Sequence, residues 1–309
     1  MSTGGRRGQR APVGAVLRQR IKANRLASAA LEAADVALRR ARWGHLRDPR
    51  PAPLADREAR SLLAQLDLHG IAIVPGYWPS ERCAAARAAI DGFLVAHPER
   101  VWADATGADR RVYGLERVDA VARGFAEDAT LAAVARAAWR TPIVNSFVSA
   151  GRVDGRPGNR GSGGQGWHLD GVTQQLKAVL YLSDVGPDDG PFAYVRGTVT
   201  LRERLRHIWR SGAVFRQLAF DEAAVARMEA TAPGSLVTAC GPAGTLVLAR
   251  TFGVHRGSPV VAGPRYALTS YYFATSALAD IAAYYARQVV PADGAAVSAA
   301  VLAAGFRGA

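Results

Sequence analysis

His168 and Asp170 lie two residues apart in the segment GWHLDG (166–171). Residues two apart in a β-strand share a face, so these side chains point one way while Trp167 and Leu169 point the other. An imidazole and a carboxylate on one strand face supply two ligands of a metal site. Two histidines and one carboxylate on one side of an ion leave positions open, a geometry that suits Fe(II) in oxygenases.

His255 is the best third ligand among the six histidines, because it lies in TLVLARTFGVHRGSP, which predicts a strand, a short excursion and a second strand. Arg265 follows ten residues later, after the turn segment VVAGP. A hairpin over this stretch predicts that Arg265 lies on a strand adjacent to His255. A buried arginine needs an anion, and its fork fits a carboxylate. We therefore expect it to bind the distal carboxylate of a dicarboxylate cosubstrate.

The elements that position these residues change in character along the chain. Helices are predicted first, and they surround one short strand at 71–77. From about residue 143, short β-rich runs separated by turn signals such as GPDDGP and GPAG predict a β-sandwich or barrel. The predicted helices span 14–43, 56–70, 79–97 with Ser80 as N-cap, 128–139, parts of 200–230, 277–289 and 295–304.

Two regions are predicted from this pattern. Residues 1–55 form a basic N-terminal arm, partly disordered and then helical, and residues 56–309 form one elaborated domain. The chain has 309 residues and a net charge of +13. Residues 1–60 hold 14 Lys and Arg against 5 Asp and Glu, a surplus of 9, which leaves only about +4 for the rest. The arm is either a solvated arginine-rich helix or a contact for nucleic acid or an anionic membrane.

Several classes of protein are excluded by composition. No run of eighteen apolar residues predicts a membrane span, and the basic N-terminus has no apolar region of a secretory signal. Two cysteines, Cys83 and Cys240, form no disulfide framework and fit a reducing cytoplasm. No zinc-finger, P-loop or RNA-binding motif occurs, so we expect a small-molecule substrate and no nucleic-acid partner.

The residues around these motifs resemble one known family. The run WHLD…LKAVLYLSDVGPDDGPFAYVRGT…GTLVLARTFGVHRGSPVVAGPRYALTSYYF is similar to the phytanoyl-CoA dioxygenase-like family of Fe(II)/2-oxoglutarate-dependent oxygenases. The similarity covers roughly residues 60–275. It implies a mainly β core, a double-stranded β-helix (jelly roll, cupin-like), with helices flanking it on the N-terminal side and at the C-terminus.

The resemblance also implies a function. It assigns iron to His168, Asp170 and His255, and 2-oxoglutarate as cosubstrate to Arg265, with O2 as the oxidant. The expected reaction is hydroxylation of a C–H bond with release of succinate and CO2. Halogenating relatives lack the carboxylate that Asp170 provides, so its presence favours hydroxylation.

Departures from the family pattern point to further candidate residues. Ser258 is the nearest hydroxyl after His255, because Gly257 stands where the family has a polar residue, so we assign Ser258 to the cosubstrate. Lys177 and Tyr181 share one face of the strand after HxD, and either contacts the cosubstrate or packs. The candidate substrate contacts are Trp167, Gln174, which lines the pocket or a strand edge, and Arg196, which replaces the proline of the family's PGSH segment.

Alternatives remain open at the level of function. The same fold serves as a non-catalytic metal-binding module or sensor, or as a cupin-like metal enzyme without 2-oxoglutarate. Arg265 argues against the cupin-like enzyme without 2-oxoglutarate. If the loop arginines lie at the entrance of the site, an anionic substrate is favoured. The alternative is that these arginines are solvated and contact no substrate. These arginines are Arg152, Arg156, Arg160 and Arg196.

Overall fold

A computed structural model gives the fold. It describes residues 24–43, 54–139, 142–159, 161, 166–170, 175–214, 217–261, 263–275 and 290. Seven α-helices occur in these residues: α1 Arg25–Trp43, α2 Arg57–His69, α3 Ser80–Ala96, α4 Ala120–Ala126, α5 Ala129–Trp139, α6 Leu201–Arg210 and α7 Glu222–Thr231. Short 3-10 helices span Pro98–Arg100 and Leu115–Arg117.

Twelve strands complete the described part of the fold. They are β1 Ile71–Val74, β2 Trp102–Ala103, β3 Asp109–Tyr113, β4 Ile143–Asp154, β5 Trp167–His168, β6 Gln175–Tyr181, β7 Phe192–Val195, β8 Ala219–Phe220, β9 Leu236–Ala239, β10 Leu246–Arg250, β11 His255–Gly257 and β12 Pro264–Ala274.

The strands form two antiparallel sheets. The major sheet has seven strands in the order β1-β10-β6-β12-β4-β3-β2, and the minor sheet has five in the order β8-β5-β11-β7-β9. Two facing antiparallel sheets with crossing connections are the jelly-roll arrangement. The predicted double-stranded β-helix with flanking helices on the N-terminal side is therefore confirmed. The predicted helices at 277–289 and 295–304 lie outside the described residues.

In the described part of the chain, three apolar layers hold the sheets and helices together. The largest lies between the outer face of the major sheet and helices α2 to α5, and it includes Leu62, Phe125 and Leu248. A second layer fills the space between the sheets, with Tyr181 from one side and Tyr194 from the other. The third covers the outer face of the minor sheet beneath α7. The space between the sheets is the interior in which the candidate site lies.

Local sequence signals account for the helix ends. Asp56 caps α2 by accepting a hydrogen bond from the backbone N–H of Ala59, and Gly70 ends the helix in the left-handed region at φ 75°. Helix α3 differs slightly from the prediction. Its N-cap is Pro79, and Ser80 is already its first residue and donates to Glu81.

The N-terminal helix is shorter in its described part than the predicted 14–43. Helix α1 begins at Arg25, and residues 14–23 lie outside the described part. It packs on α6, so the arm contacts the domain. Among the helices that the structure describes, none has the length and apolar character needed to cross a membrane.

Candidate metal centre

Two neighbouring strands of the minor sheet carry the candidate ligands. Strand β11 pairs with β5 in antiparallel register, and His255 lies directly opposite His168. Asp170 follows β5, and its backbone N–H donates to Thr251 O at 3.0 Å. Trp167 and Leu169 face the apolar layer beneath α7, as strand alternation predicts.

The three side chains meet in the interior between the sheets. Their potential ligand atoms all lie within 4.8 Å of one another. Nε2 of His168 is 3.7 Å from one Asp170 oxygen, and Nε2 of His255 is 3.6 Å from the other. The two imidazole centroids are 4.3 Å apart. Two histidines and one carboxylate thus converge on one point, the arrangement that binds non-haem Fe(II).

Backbone carbonyls set the orientation of both imidazoles. Nδ1 of His168 lies 2.8 Å from Gly166 O, and Nδ1 of His255 lies 2.9 Å from Gly253 O. Because a carbonyl only accepts, each Nδ1 carries the proton and each Nε2 presents its lone pair to the centre. Nε2 of His255 is buried and has no hydrogen-bond partner among the described residues. A buried acceptor left free in this way fits a metal ligand.

Burial keeps the histidines neutral, as metal ligation requires. It lowers the pKa of His255 to about 3, although the Asp170 carboxylate acts in the opposite direction. Burial also lowers the pKa of His168. Burial alone would raise the pKa of Asp170, but Lys177 and the two imidazoles outweigh it and hold that pKa below its usual value. The site therefore offers two neutral imidazoles and one carboxylate.

Lys177 belongs to this site. Its Nζ lies 2.7 Å from Asp170 Oδ2 and 5.3 Å from the centroid of the Tyr271 ring. Strand β6 directs it into the interior, because Lys177 shares a face with Val179 and Tyr181, which pack between the sheets. Strand alternation in the sequence indicated Lys177 as a candidate, and the structure places its ammonium in contact with the candidate ligand Asp170.

Arg265 lies in the interior but on a different sheet from His255, so the predicted hairpin between adjacent strands is wrong. The segment after β11 crosses to the major sheet, where Arg265, the second residue of β12, lies opposite Val153 of β4. Its side chain is only 6% exposed and donates to Gly190 O. Burial lowers its pKa, and its Nε has no hydrogen-bond partner in the described part of the chain.

Ser258 and Tyr181 lie next to this arginine in different ways. The backbone N–H of Ser258 donates to Pro191 O, one residue after the carbonyl that Arg265 binds. The hydroxyl of Tyr181 donates to Ala239 O at 2.9 Å and accepts from the backbone N–H of Phe192 at 2.8 Å. Ser258 thus faces the same turn as Arg265, whereas the Tyr181 hydroxyl joins the two sheets.

The expected substrate contacts are not brought together. Trp167 is buried in the layer beneath α7, and its indole donates to Glu222. Arg196 follows β7, where its backbone N–H donates to Ser235 O. Gln174 lies outside the described residues, as does Arg160. Arg152 binds Asp91 and Asp154, and its guanidinium lies beside Tyr266 rather than at the mouth of the site.

The sequence analysis missed a polar group on the inner face of the major sheet. Arg111 Nη2 lies 2.6 Å from Asp109 Oδ2, and Asp109 is fully buried. The positive charge of Arg111 contributes to the lowered pKa of His168, and the same charge partly offsets the raised pKa of buried Tyr271. The segment DRRVY has no alternating pattern, and nothing in the sequence indicates that its strand reaches the metal centre.

Comparison with known proteins gives one family match. The sequence matches the family model described as phytanoyl-CoA dioxygenase (PhyH) over residues 66–263, more than half of the chain. This range contains His168, Asp170 and His255, and Arg265 lies two residues beyond it. A search of the curated proteins finds no match.

Solved structures share the fold. EctD from S. alaskensis, in its apoform, is similar with a TM-score of 0.54 and 20% identity, over 73% of this chain and 79% of that chain. SnoN, the non-heme alpha ketoglutarate dependent epimerase from nogalamycin biosynthesis, has a TM-score of 0.52 and 19% identity, over 71% and 83%. The carbocyclase SnoK from the same biosynthesis has a TM-score of 0.50 and 16% identity, over 74% and 87%. At these identities the likeness concerns the fold alone.

Proposed function

The chain belongs to the phytanoyl-CoA dioxygenase family of Fe(II)/2-oxoglutarate-dependent oxygenases, and we propose that it hydroxylates a C–H bond of a small molecule at the centre formed by His168, Asp170 and His255. Because the chain belongs to this enzyme family, the enzyme is favoured over the alternative of a non-catalytic metal-binding module. Succinate and CO2 are the expected coproducts.

The free Nε2 of His255 carries the assignment of the metal. This atom is buried, its ring is fixed through Nδ1, and it faces the Asp170 carboxylate at 3.6 Å. An acceptor in that position would cost free energy without a partner. An Fe(II) ion supplies the partner and, when bound, activates O2 with the cosubstrate. His168, Asp170 and His255 would hold it on one side.

Arg265 is the residue that we assign to 2-oxoglutarate. The buried Arg265 guanidinium donates to a backbone carbonyl, and its Nε has no partner among the described residues, which leaves donors for a carboxylate. Ser258 borders the same turn and would add a hydroxyl donor. Lys177, beside Asp170, would meet the carboxylate of the cosubstrate at its metal-binding end. Tyr181 would support Arg265 without a direct contact, because its hydroxyl is bound to two backbone groups.

An anionic substrate is favoured by the charges in the interior. Arg111, Lys177 and Arg265 bring three positive charges to the described part of the pocket, against the carboxylates of Asp109 and Asp170. An Fe(II) ion and a doubly charged 2-oxoglutarate would add no net charge. One positive charge then remains for the substrate to balance. Trp167 has no part in this proposal, because it faces the opposite side of the sheet.

A cytoplasmic location remains part of the proposal. It rests on Cys83 and Cys240, which are both free, as thiols are in a reducing compartment.

Succinate formation tests the function. Purified protein supplied with Fe(II), O2 and 2-oxoglutarate should form succinate slowly even without substrate, and His168→Ala should abolish this turnover. A control is His97→Asn, because His97 is an exposed histidine at the end of α3, away from the centre. Equal succinate formation by His168→Ala and the unchanged protein would refute the assignment.

A further inference from the structure

Helix α1 lies outside the range of the family match, which begins at residue 66. It nevertheless packs on the domain, and the face that it buries is polar rather than apolar. Among the side chains of α1 whose burial is described, the buried ones are polar, Ser28, Glu32 and Asp35, while Leu26 and Leu38 are exposed to solvent. Polar side chains are buried only where they have partners. The contacts of this face therefore explain why α1 docks where it does.

Glu32 binds Arg204 of α6. Its Oε1 lies 2.7 Å from the Arg204 Nε, and the Glu32 side chain is only 3% exposed. The Arg204 guanidinium in turn lies 4.6 Å from the centroid of the Phe252 ring. Removing the carboxylate would take away a buried ionic partner that lies 2.7 Å from the Arg204 Nε, which favours a shift of the Arg204 guanidinium. Phe252 would then lose the cation that it packs against.

Phe252 directly precedes the residue that orients a candidate ligand. The carbonyl of Gly253 accepts the hydrogen bond from Nδ1 of His255 at 2.9 Å. Gly253 itself has no room for a Cβ, because the Tyr194 hydroxyl and Thr198 lie against its α-carbon. The position of this carbonyl is thus set by the residues packed around 252–254, and a metal-ligating histidine depends on such a partner.

A second connection leads from α6 to the same segment. Thr198 lies two residues before Thr200, the N-cap of α6, and its Oγ1 accepts from the backbone N–H of Val254 at 2.9 Å. The same hydroxyl donates to Val195 O at 2.7 Å. Arg204 of α6 and Thr198, just before this helix, therefore contact the segment before His255 at two points, Phe252 and Val254.

A small cavity lies beside these connections. Its volume is about 30 Å³, and it lies between the helices and the minor sheet. Glu32 and Arg204 line it on one side, and Leu169 and Val254, which flank the candidate ligands, line it on the other. Packing between the helices and the ligand-bearing strands is therefore incomplete at this point. The Glu32–Arg204 pair lies at the edge of the cavity.

We propose that Glu32 is a positioning residue of the metal centre. Through Arg204 it fixes Phe252 and the Gly253 carbonyl, and thereby the orientation and tautomer of His255. The N-terminal helix is thus a brace for the active site that this chain adds to its family domain. This inference rests on the proposed metal site at His168, Asp170 and His255.

Titration of the metal-free protein with Co(II) tests the brace, because the visible spectrum of Co(II) reports ligand geometry. Glu32→Ala and Arg204→Ala should each weaken Co(II) binding about tenfold and alter its spectrum. The double variant should be no weaker than either single variant, because the two side chains act as one unit. Arg25→Gln, an exposed change on the same helix, is the matched control and should bind as the unchanged protein does.

All titrations are made at a temperature at which every variant has the circular dichroism spectrum of the folded protein. An unchanged dissociation constant and spectrum in Glu32→Ala, with only a lower melting temperature, would overturn the proposal. His255→Ala separates this failure from that of the function. If the unchanged protein binds Co(II) no better than His255→Ala, both the metal site and the brace are refuted.

Discussion

The ammonium of Lys177 lies 2.7 Å from Asp170 Oδ2, on the side of the carboxylate that faces Nε2 of His255. A lysine on the major sheet thus binds the one acidic member of a centre built on the minor sheet. The contact joins the two sheets at the point where the chemistry would occur. It also places a positive charge beside the carboxylate that would hold a metal cation.

Lys177→Met should change the affinities for metal and for cosubstrate in opposite directions. Loss of the ammonium removes repulsion from a divalent ion, so the dissociation constant for Co(II) should fall. Loss of the same donor should raise the dissociation constant for 2-oxoglutarate roughly tenfold. Calorimetric titration with metal and then with 2-oxoglutarate measures both. Lys177→Arg, which keeps the charge, is the control, and parallel changes in both constants would contradict this role.

Arg265→Gln should separate the cosubstrate from the metal. A buried guanidinium paired with a carboxylate contributes several kcal/mol, so we expect the affinity for 2-oxoglutarate to fall roughly 100-fold or more. Binding of Co(II) should be unchanged, because Arg265 lies on the major sheet, whereas the two histidine ligands lie on the minor sheet. Comparison of the two titrations measures the effect. Unaltered 2-oxoglutarate affinity would remove Arg265 from the cosubstrate site.

Much of the centre could be predicted from local pattern. Strand parity alone put His168 and Asp170 on one face, and the structure keeps Trp167 and Leu169 on the other. The register of β5 with β11, which brings His255 opposite His168, has no local signal, because pairing between strands distant in sequence depends on the whole sheet. The HRG motif indicated the residue but not its partner strand.

The rest depends on how the sheets face each other. The sequence predicted a hairpin from His255 to Arg265, whereas the chain changes sheets between them. The contribution of Asp109 and Arg111 was missed for the same reason, since β3 reaches the interior only through its pairing with β4. The burial of the Glu32 side chain could not be predicted from the sequence either, because its partner Arg204 lies on a separate helix.

Tyr181→Phe should destabilise the fold. The hydroxyl joins Ala239 O and the backbone N–H of Phe192, and its loss removes both of these buried hydrogen bonds. The free energy of unfolding should fall by about 2 to 4 kcal/mol. Chemical denaturation measures this change. Tyr194→Phe, which loses a single bond to Arg250 O, should cost less. An equal or smaller loss for Tyr181→Phe would contradict the bridging role.

Glu116 should make the stability depend on pH. Burial raises its pKa from 4.5 to about 7, despite the hydrogen bond that it accepts from Val148. The folded state then binds the proton more tightly than the unfolded state, so this contribution is present below pH 4.5 and is lost as the pH rises through 7. At about 1.4 kcal/mol per pKa unit the loss is on the order of 3 kcal/mol.

Glu116→Gln removes the titrating group and retains an acceptor for the Val148 N–H. Urea unfolding at pH 5 and pH 8 should show a smaller fall in stability for this variant than for the unchanged protein. The same fall in both proteins would show that Glu116 has its usual pKa. Glu222→Gln, at an exposed carboxylate, is the control.

The central claim is that His168, Asp170 and His255 bind Fe(II) and that 2-oxoglutarate joins the ion there. Absorption spectroscopy without O2 tests it most directly, because Fe(II) chelated by a 2-oxo acid has a visible charge-transfer band. The band should appear when Fe(II) and 2-oxoglutarate are added together to the unchanged protein, and His255→Ala should abolish it. The same band in His255→Ala, or no band in the unchanged protein at saturating concentrations, would contradict the account.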